Sequence, residues 1–529
     1  MEISQFIAHH GLSENPFTAE EARFDPVFDR LTTKSTTHQD FDKILGDIAR
    51  PSTAVVFGEK GSGKTAIRLR IAQLVAEYNT AHPDQRTLLV AYDDLNPVLD
   101  RIAQRHQRGM SFNKASRTGA EKLLSHTRLA DHQDAILSLA VTRLLDGVLG
   151  ATGEGSAAMP ADVEKKVKTM PRDLRTDLAV LAALYDQPRS GTVATRWGQL
   201  RRKLKLRFLP PAPYFRYANI SLSLITLVCW LSASVFSWGE GGPPGWLAPL
   251  AWITGIGAAV GWVVWGWSRF VLWKLCHNIQ KDVHAVQRQT RDLMNMLLEL
   301  KGSDIAPQPW PVPGVQGEHD SRFQLTHKLM NILQHFGYTG MMVLVDRVDE
   351  PSLVAGKPEC MKPVVWPMLD HKFLQQDRVG LKLLLPIELR HLVHREDTNF
   401  FQQSRLDKQN MVDRLTWSGA TLYDMCTNRL RACRKANGAS TESGGEAASG
   451  GSLRDLFAQD VTRQQLVEAL DQMHQPRDAF KFLYAVIQEH CRTVSQDEAD
   501  YLIPRLTLEG IRRQQAQRVQ DLQRGMTPS

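Results

Sequence analysis

The segment from Ser52 reads STAVVFGEKGSGKTAIRLR: an apolar run, a glycine-rich turn and the start of a helical pattern. Gly58, Gly61, Gly63, Lys64 and Thr65 fill the spacing G-x-x-x-x-G-K-[ST]. Glycines there let backbone N–H groups turn inward around phosphate oxygens, at the positive end of a helix dipole. The spacing predicts a phosphate cradle over Gly58, Glu59, Lys60, Gly61, Ser62, Gly63, Lys64, Thr65 and Ala66. Lys64 would reach the β- and γ-phosphates of ATP, and the Thr65 hydroxyl would hold Mg²⁺. The competing reading is a strand-to-helix turn that binds nothing, and Lys64 followed by Thr65 argues against it.

A second chemical stretch lies far downstream. GMMVLVDRVDEPSL, from Gly340, is a short apolar run that ends in three acids. A buried parallel strand reads as a continuous apolar run, and ligands sit at the carboxyl ends of such strands. Asp346 is then the second Mg²⁺ ligand. Asp349 or Glu350 would orient or deprotonate water, and the choice between them stays open. An acidic loop cap is the bland alternative, weakened by the phosphate loop upstream.

These residues need a parallel sheet flanked by helices, an α/β fold. RTLLVAYDDL, from Arg86, predicts a strand, and NPVLDRIAQRH a helix that Asp93 and Asp94 would cap. Further helices are expected from Asp131 and from Met170. VGLKLLLPIELR, from Val379, predicts another core strand with Glu388 or Arg390 at its polar end. The Gly/Ser-rich stretch 436–452 reads as a flexible loop inside a C-terminal helical lid. MHQPRDAFKFLYAVIQEH follows in that lid and carries Arg477 after a helix-opening proline.

Between the two chemical stretches lie two uncharged runs, Asn219–Trp238 and Gly245–Ser268, separated by the polar break GEGGPPG. At 1.5 Å per residue each is about 30 Å or longer, the thickness of a bilayer core. Of the 12 Trp residues, 8 fall between Trp230 and Trp273, and Trp belongs at membrane interfaces. Basic residues crowd the outer flanks (RRKLKLR from Arg201, then Arg269 and Lys274), so both long arms are expected in the cytoplasm. Gly257 and Gly261, four apart, form a candidate packing face for the partner span or for a second copy in a homo-oligomer. From Leu272 to Asp304 no Gly or Pro interrupts until Gly302, and Leu275, Ile279, Val283, Val286, Leu293 and Leu297 make an apolar stripe. That predicts one long helix, either a stalk for a protein partner or an ordinary packed helix.

The sequence thus divides into 1–218, an N-terminal linker and the first part of a nucleotide domain; 219–268, a transmembrane hairpin; 269–320, a long cytoplasmic helix; 321–400, the rest of the nucleotide domain; and 401–529, the lid. The start of the chain lacks the basic-then-apolar pattern of a signal peptide. Six Cys occur with no C-x-x-C spacing, which predicts neither zinc nor a disulfide framework. His391 and His394 are not expected to be a metal pair. The net charge of +7 is concentrated beside the first span, where lipid and topology explain it without nucleic acid as a partner.

The pattern V-D346-R-V-D349-E350 resembles the second nucleotide motif of NACHT-type NTPases, departing at Arg347, where a small residue is usual. It is also similar to the motif of KAP-type P-loop NTPases, with Asp346 and Asp349 matching and Arg347 and Glu350 not. Transmembrane helices inserted between the two nucleotide motifs favour the KAP resemblance. GLSENPF near the start looks like the linker of secretion-type AAA+ ATPases. All belong to the additional-strand P-loop superclass. In AAA+ relatives the position of Glu388 or Arg390 holds a sensor, and Arg477 resembles the second sensor, which contacts the γ-phosphate. The resemblance implies an inner-membrane ATPase working as a switch or assembly device; some KAP members exclude phage in bacteria, others are animal membrane scaffolds. The alternatives are a membrane-tethered remodeller of protein or nucleic acid, and a nucleotide-binding scaffold without turnover.

Overall fold

In the computed structural model the phosphate-loop run becomes strand β1 (Ala54–Gly58) followed by helix α1 (Lys64–Ala81). β2 (Arg86–Tyr92) and α2 (Asn96–Gln107) come next, then α3 (Leu129–Leu149) and α4 (Arg172–Tyr185). The apolar runs form α5 (Pro211–Ser237) and α6 (Leu247–Asp282). α7 (Thr290–Leu298) and α8 (Glu318–His335) lead to β3 (Tyr338–Val345) and β4 (Val379–Pro386). β5 (Asn410–Val412) precedes α9 (Gly419–Ala432), α10 (Arg463–Asp471) and α11 (Pro476–Thr493). The structure describes residues 1–523 except 20, 32–37, 108–116, 151–158, 161, 189–190, 206–210, 238–246, 301, 314–317, 435–450 and 495–499. The polar break between the apolar runs and nearly all of the Gly/Ser-rich loop fall outside those residues.

The strands form one sheet in the order β2-β3-β4-β1-β5. β1 pairs in parallel with β4 and β5, and β3 with β4. Every residue of β1 and β4, and all but one of β3, is buried, as covered parallel strands require. The register sets Gly58 beside Pro386 and Val345 beside Leu383. Parallel pairing therefore delivers the end of β1, Asp346 and the end of β4 to one edge of the sheet.

The chain divides into two compact units. The first contains residues 1–82, 91–95 and 340–529, and the second 83–90 and 96–339, so the boundary runs through β2 and β3. This differs from the expected division at 218/219 and 320/321, because α2–α4 and α8 build a core of their own in the second unit. In the first unit Phe6, Leu12 and Phe17 join Leu422, Leu470 and Phe482 in one apolar cluster. The Arg429 guanidinium donates to the Pro16 carbonyl at 2.7 and 2.8 Å. The N-terminal segment thus packs into the C-terminal helical cluster.

In the second unit Arg322 is fully buried and donates to Asp134 at 2.9 Å and to Asp282 at 2.8 Å. Tyr185 donates to the same Asp134 at 2.8 Å, and Arg128 reaches Asp282 at 3.1 Å. The single helix expected over 272–304 is broken: α6 ends at Asp282 and α7 starts at Thr290. Asp282, Val283, Ala285, Val286 and Arg288 are all buried. A helix hides one face, whereas an irregular segment can bury neighbouring residues on several sides. Of the stripe, Ile279, Val283, Val286, Leu293 and Leu297 are core residues, so the packed reading holds for them and the free stalk does not.

α5 and α6 lie antiparallel. Trp262 donates to Ser223 at 3.1 Å, and Trp230 meets Trp252 edge-on at 6.3 Å. Gly257 faces Leu222 and Gly261 faces Asn219, so closely that a Cβ at Gly261 would collide with the amide. The small-residue face therefore serves the neighbouring helix of the same chain. Away from this seam, Leu224, Val228, Ile253, Ile256, Val263 and Trp267 are among many large apolar residues left exposed. Among the described residues one helix, Pro249–Asp282, meets the length and composition needed to cross a membrane.

Candidate functional site

The candidate site lies wholly in the first unit, at the sheet edge where β1 ends. Gly61 and Gly63 have φ of 97° and 94°, a left-handed conformation that glycine adopts without steric cost. A side chain at Gly61 would also press on Arg477 and Gln475, each 3.0 Å from its Cβ position. Gly63 caps α1, so the helix begins at Lys64 and its first N–H groups have no helical acceptor.

Lys64 folds over this turn. Its ammonium donates to the Gly58 carbonyl at 2.7 Å and the Glu59 carbonyl at 2.8 Å. Burial lowers its pKa, against the opposing pull of Asp346, Asp349 and Glu388. The Thr65 hydroxyl donates to Asp346 Oδ2 at 3.0 Å. Asp346 is 1% exposed. Burial raises its pKa, opposed by Arg68, Thr65, Lys64 and the Arg347 N–H. Both groups are therefore held where their charged forms lack water, and an oxyanion beside Lys64 or a cation beside Asp346 would favour charge on each. The Ser62 hydroxyl is buried without a hydrogen-bond partner in the same turn.

A cavity of about 560 Å³ opens here, lined by Lys60, Gly61, Gly63, Lys64, Thr65, Ala66, Asp346, Asp349, Glu350, Glu388 and Arg477, among others. A smaller apolar cavity of about 110 Å³ shares Gly63, Ala66, Pro476 and Phe480 with it and adds His38, Phe41 and Trp417. One side is thus polar and glycine-walled, the other aromatic. Residues 281 positions apart in sequence, Thr65 and Asp346, meet at this mouth. Glu388 belongs to the lining, while Arg390 faces Asp413 at 3.8 Å and does not. No group of three or more His, Cys, Asp or Glu that could hold a metal ion occurs among the described residues. Thr65 with Asp346 is instead a sparse, hard-oxygen pair, the kind of set that suits Mg²⁺ with its retained waters.

The departure at Arg347 has a structural meaning. Its φ is 62°, where a glycine is at ease and a bulky side chain is strained. The Arg347 N–H donates to Asp346 Oδ1 at 3.0 Å, and its guanidinium pairs with Glu350 at 2.8 Å. Glu350 is held by that pair and half-exposed, whereas Asp349 lies on the cavity wall without it.

Several residues were not read from the sequence. Arg68 lies 3.4 Å from Asp346 and also pairs with Asp93, so Asp93 is tied to α1. The signal was present: Arg68 is one turn after Lys64 and Thr65, on the same helix face. Glu59 pairs with Gln475 and with Arg414, and the Trp417 indole donates to the Ser62 carbonyl at 2.8 Å. These contacts join positions more than 350 residues apart, and no local pattern announces them. Compared with models of known families, with curated proteins and with solved structures, the chain matches none of them.

Proposed function

We propose that the chain is a membrane-anchored nucleoside triphosphatase of the KAP type, using ATP with Mg²⁺ as a switch. The observation that carries this reading is the Thr65–Asp346 hydrogen bond beside Lys64, at the mouth of a cavity walled by the glycine turn. Lys64, Gly61, Gly63 and Ala66 would cradle the phosphates, with Glu59, Lys60 and Ser62 completing the turn. Thr65 and Asp346 would hold Mg²⁺, which neutralises phosphate charge when bound. The adjoining aromatic cavity suits a nucleobase. Arg477, which lies against Gly61, would meet a terminal phosphate, and Asp349 or Glu350 would orient water. β4 between β1 and β3 agrees with the additional strand that the resemblance implies.

The membrane half of the reading rests on the exposed apolar faces of α5 and α6. We infer that they form a two-span hairpin with both arms on the cytoplasmic side of the inner membrane. Reporter fusions at Met1 and Ser529 should then behave alike and one at Gly241 oppositely; protein recovered without detergent overturns this half.

The enzymatic half is tested by ATP binding and turnover in purified protein. Lys64→Ala should abolish both, while Glu350→Gln should bind ATP and turn it over slowly. Full turnover in Lys64→Ala removes the reading. Binding without turnover in the parent protein favours the scaffold alternative, and activity stimulated by DNA or a protein client favours the remodeller. Bacterial phage resistance is the biological output to assay first, given the resemblance.

A further inference from the structure

The second unit holds a cavity of about 340 Å³ that the nucleotide reading does not use. Its wall is basic and amide-rich: Arg101, Gln104 and Arg105 of α2, Gln280 in the last turn of α6, and the segment from His284 to Gln289. No carboxylate is among its described lining residues.

Three arginines stand there in different states. Arg105 is engaged: its guanidinium donates to the Lys281 carbonyl at 2.6 Å and to the Gln280 carbonyl. Those carbonyls end α6 and have no helical donor of their own. Arg288 is 8% exposed, and its guanidinium is turned inward, donating to the Asp186 carbonyl at 2.7 Å and the Ala182 carbonyl at 3.4 Å, so it lends the wall charge rather than a free donor. Arg101 makes no hydrogen bond or ion pair among the described residues. Burial lowers the pKa of Arg101, and no carboxylate offsets it. Of the other charged groups, His284 pairs with Asp131 at 2.8 Å, and Asp186 and Asp292 act on Arg288 from outside the lining.

Spare guanidinium donors around an acid-free space make a receptor for an oxyanion, and the fork of an arginine matches phosphate geometry. The volume falls in the range of small-ligand pockets and exceeds what a bare anion fills. Gln280 lies about two helical turns beyond Trp273, roughly 10 Å along α6. If Trp273 marks the interface, the cavity sits at the level of lipid headgroups. We propose that this cavity binds a phosphate monoester, as the headgroup of an anionic lipid or as a soluble ester, with Arg101 as its phosphate ligand and Arg288 adding positive charge from behind the wall. The lipid source rests on the membrane reading of α6; the phosphate chemistry does not.

Full-length protein in neutral detergent is titrated with short-chain phosphatidic acid, with glycerol 3-phosphate and with phosphatidylcholine. Phosphatidic acid should bind, and phosphatidylcholine should not. Affinity should fall at least tenfold in Arg101→Gln and in Gln104→Glu, which places a competing carboxylate on an exposed wall position without removing any arginine. Preference for phosphatidic acid over glycerol 3-phosphate identifies the lipid headgroup; equal, Arg101-dependent binding of both identifies a soluble ester. If neither phosphate binds, or both variants titrate like the parent, the proposal is wrong. Recovery of the protein without detergent would fail the membrane reading, and the glycerol 3-phosphate titration would still decide the site.

Discussion

Two clusters of the same ingredients, aspartate against arginine in a buried setting, do opposite things in this molecule. Around Arg322, every partner is spent: Asp134 accepts from Arg322 and Tyr185, and Asp282 from Arg322 and Arg128. Around Asp346, Arg68 stands off at 3.4 Å, a threonine supplies the close hydrogen bond, and a cavity of about 560 Å³ begins. A saturated ion cluster can only hold a structure together. An unsaturated one beside open space is a place where an outside charge can complete the set.

The comparison is broken most sharply at Arg322. Arg322→Ala strands two buried carboxylates and should cost about 3–5 kcal/mol in denaturant unfolding. Arg322→Lys should restore little, because a point charge cannot bridge both acids. A loss under about 1 kcal/mol would mean that this cluster is open as well. At the other site the pattern should invert. Asp346→Asn should lower turnover on the order of a hundredfold, about 3 kcal/mol of barrier, while leaving stability equal or higher. Burial already raises the pKa of Asp346, so folding works against its charge and the amide removes that cost. Melting and turnover measured on one preparation check both halves.

Lys382 sharpens the contrast as a buried cation whose ammonium donates to a carbonyl, Ser52 O at 2.7 Å. Burial lowers its pKa from 10.5 to about 7. Unfolded, it keeps a proton up to the higher value; folded, only up to the lower. Between them the unfolded state binds more protons, so this group makes stability rise with pH from about 7 to about 10.5, by about 1.4 kcal/mol per pH unit. Lys382→Met should flatten that rise in melts taken across the same range. The smallest effect is expected at Arg347. Arg347→Gly removes a left-handed non-glycine residue and should stabilise by about 1 kcal/mol. It also releases Glu350, so turnover should change severalfold if Glu350 is the base and stay level if Asp349→Asn is the variant that stops it.

The elements that carry the site were readable because each announces itself locally. Apolar runs that stop at Gly58, Asp346 and Pro386 announced β1, β3 and β4, and Pro476 announced the start of α11. The break after Asp282 was unreadable, since DVHAVQRQT contains no residue that disfavours a helix and tertiary burial decides it. Glu59, Arg414, Trp417 and Gln475 were unreadable for another reason. Each matters through a partner hundreds of residues away, and only the closed sheet brings such pairs together. Gly257 and Gly261 were identified as a packing face, but only the antiparallel fit of α5 on α6 selected the partner.

The parallel sheet also imposes an order of events during synthesis. β1 has no neighbour in the sheet until β4 and β5 exist, and the Ser62 carbonyl waits for Trp417. About 350 residues separate Lys64 from Trp417, roughly 20–70 s at the usual pace of a ribosome. During that interval α5 and α6 emerge with their apolar faces uncovered. Exposed apolar faces of that extent are prone to associate or aggregate. On the proposed reading, the cleft that would hold ATP closes only after both apolar helices have already left the ribosome.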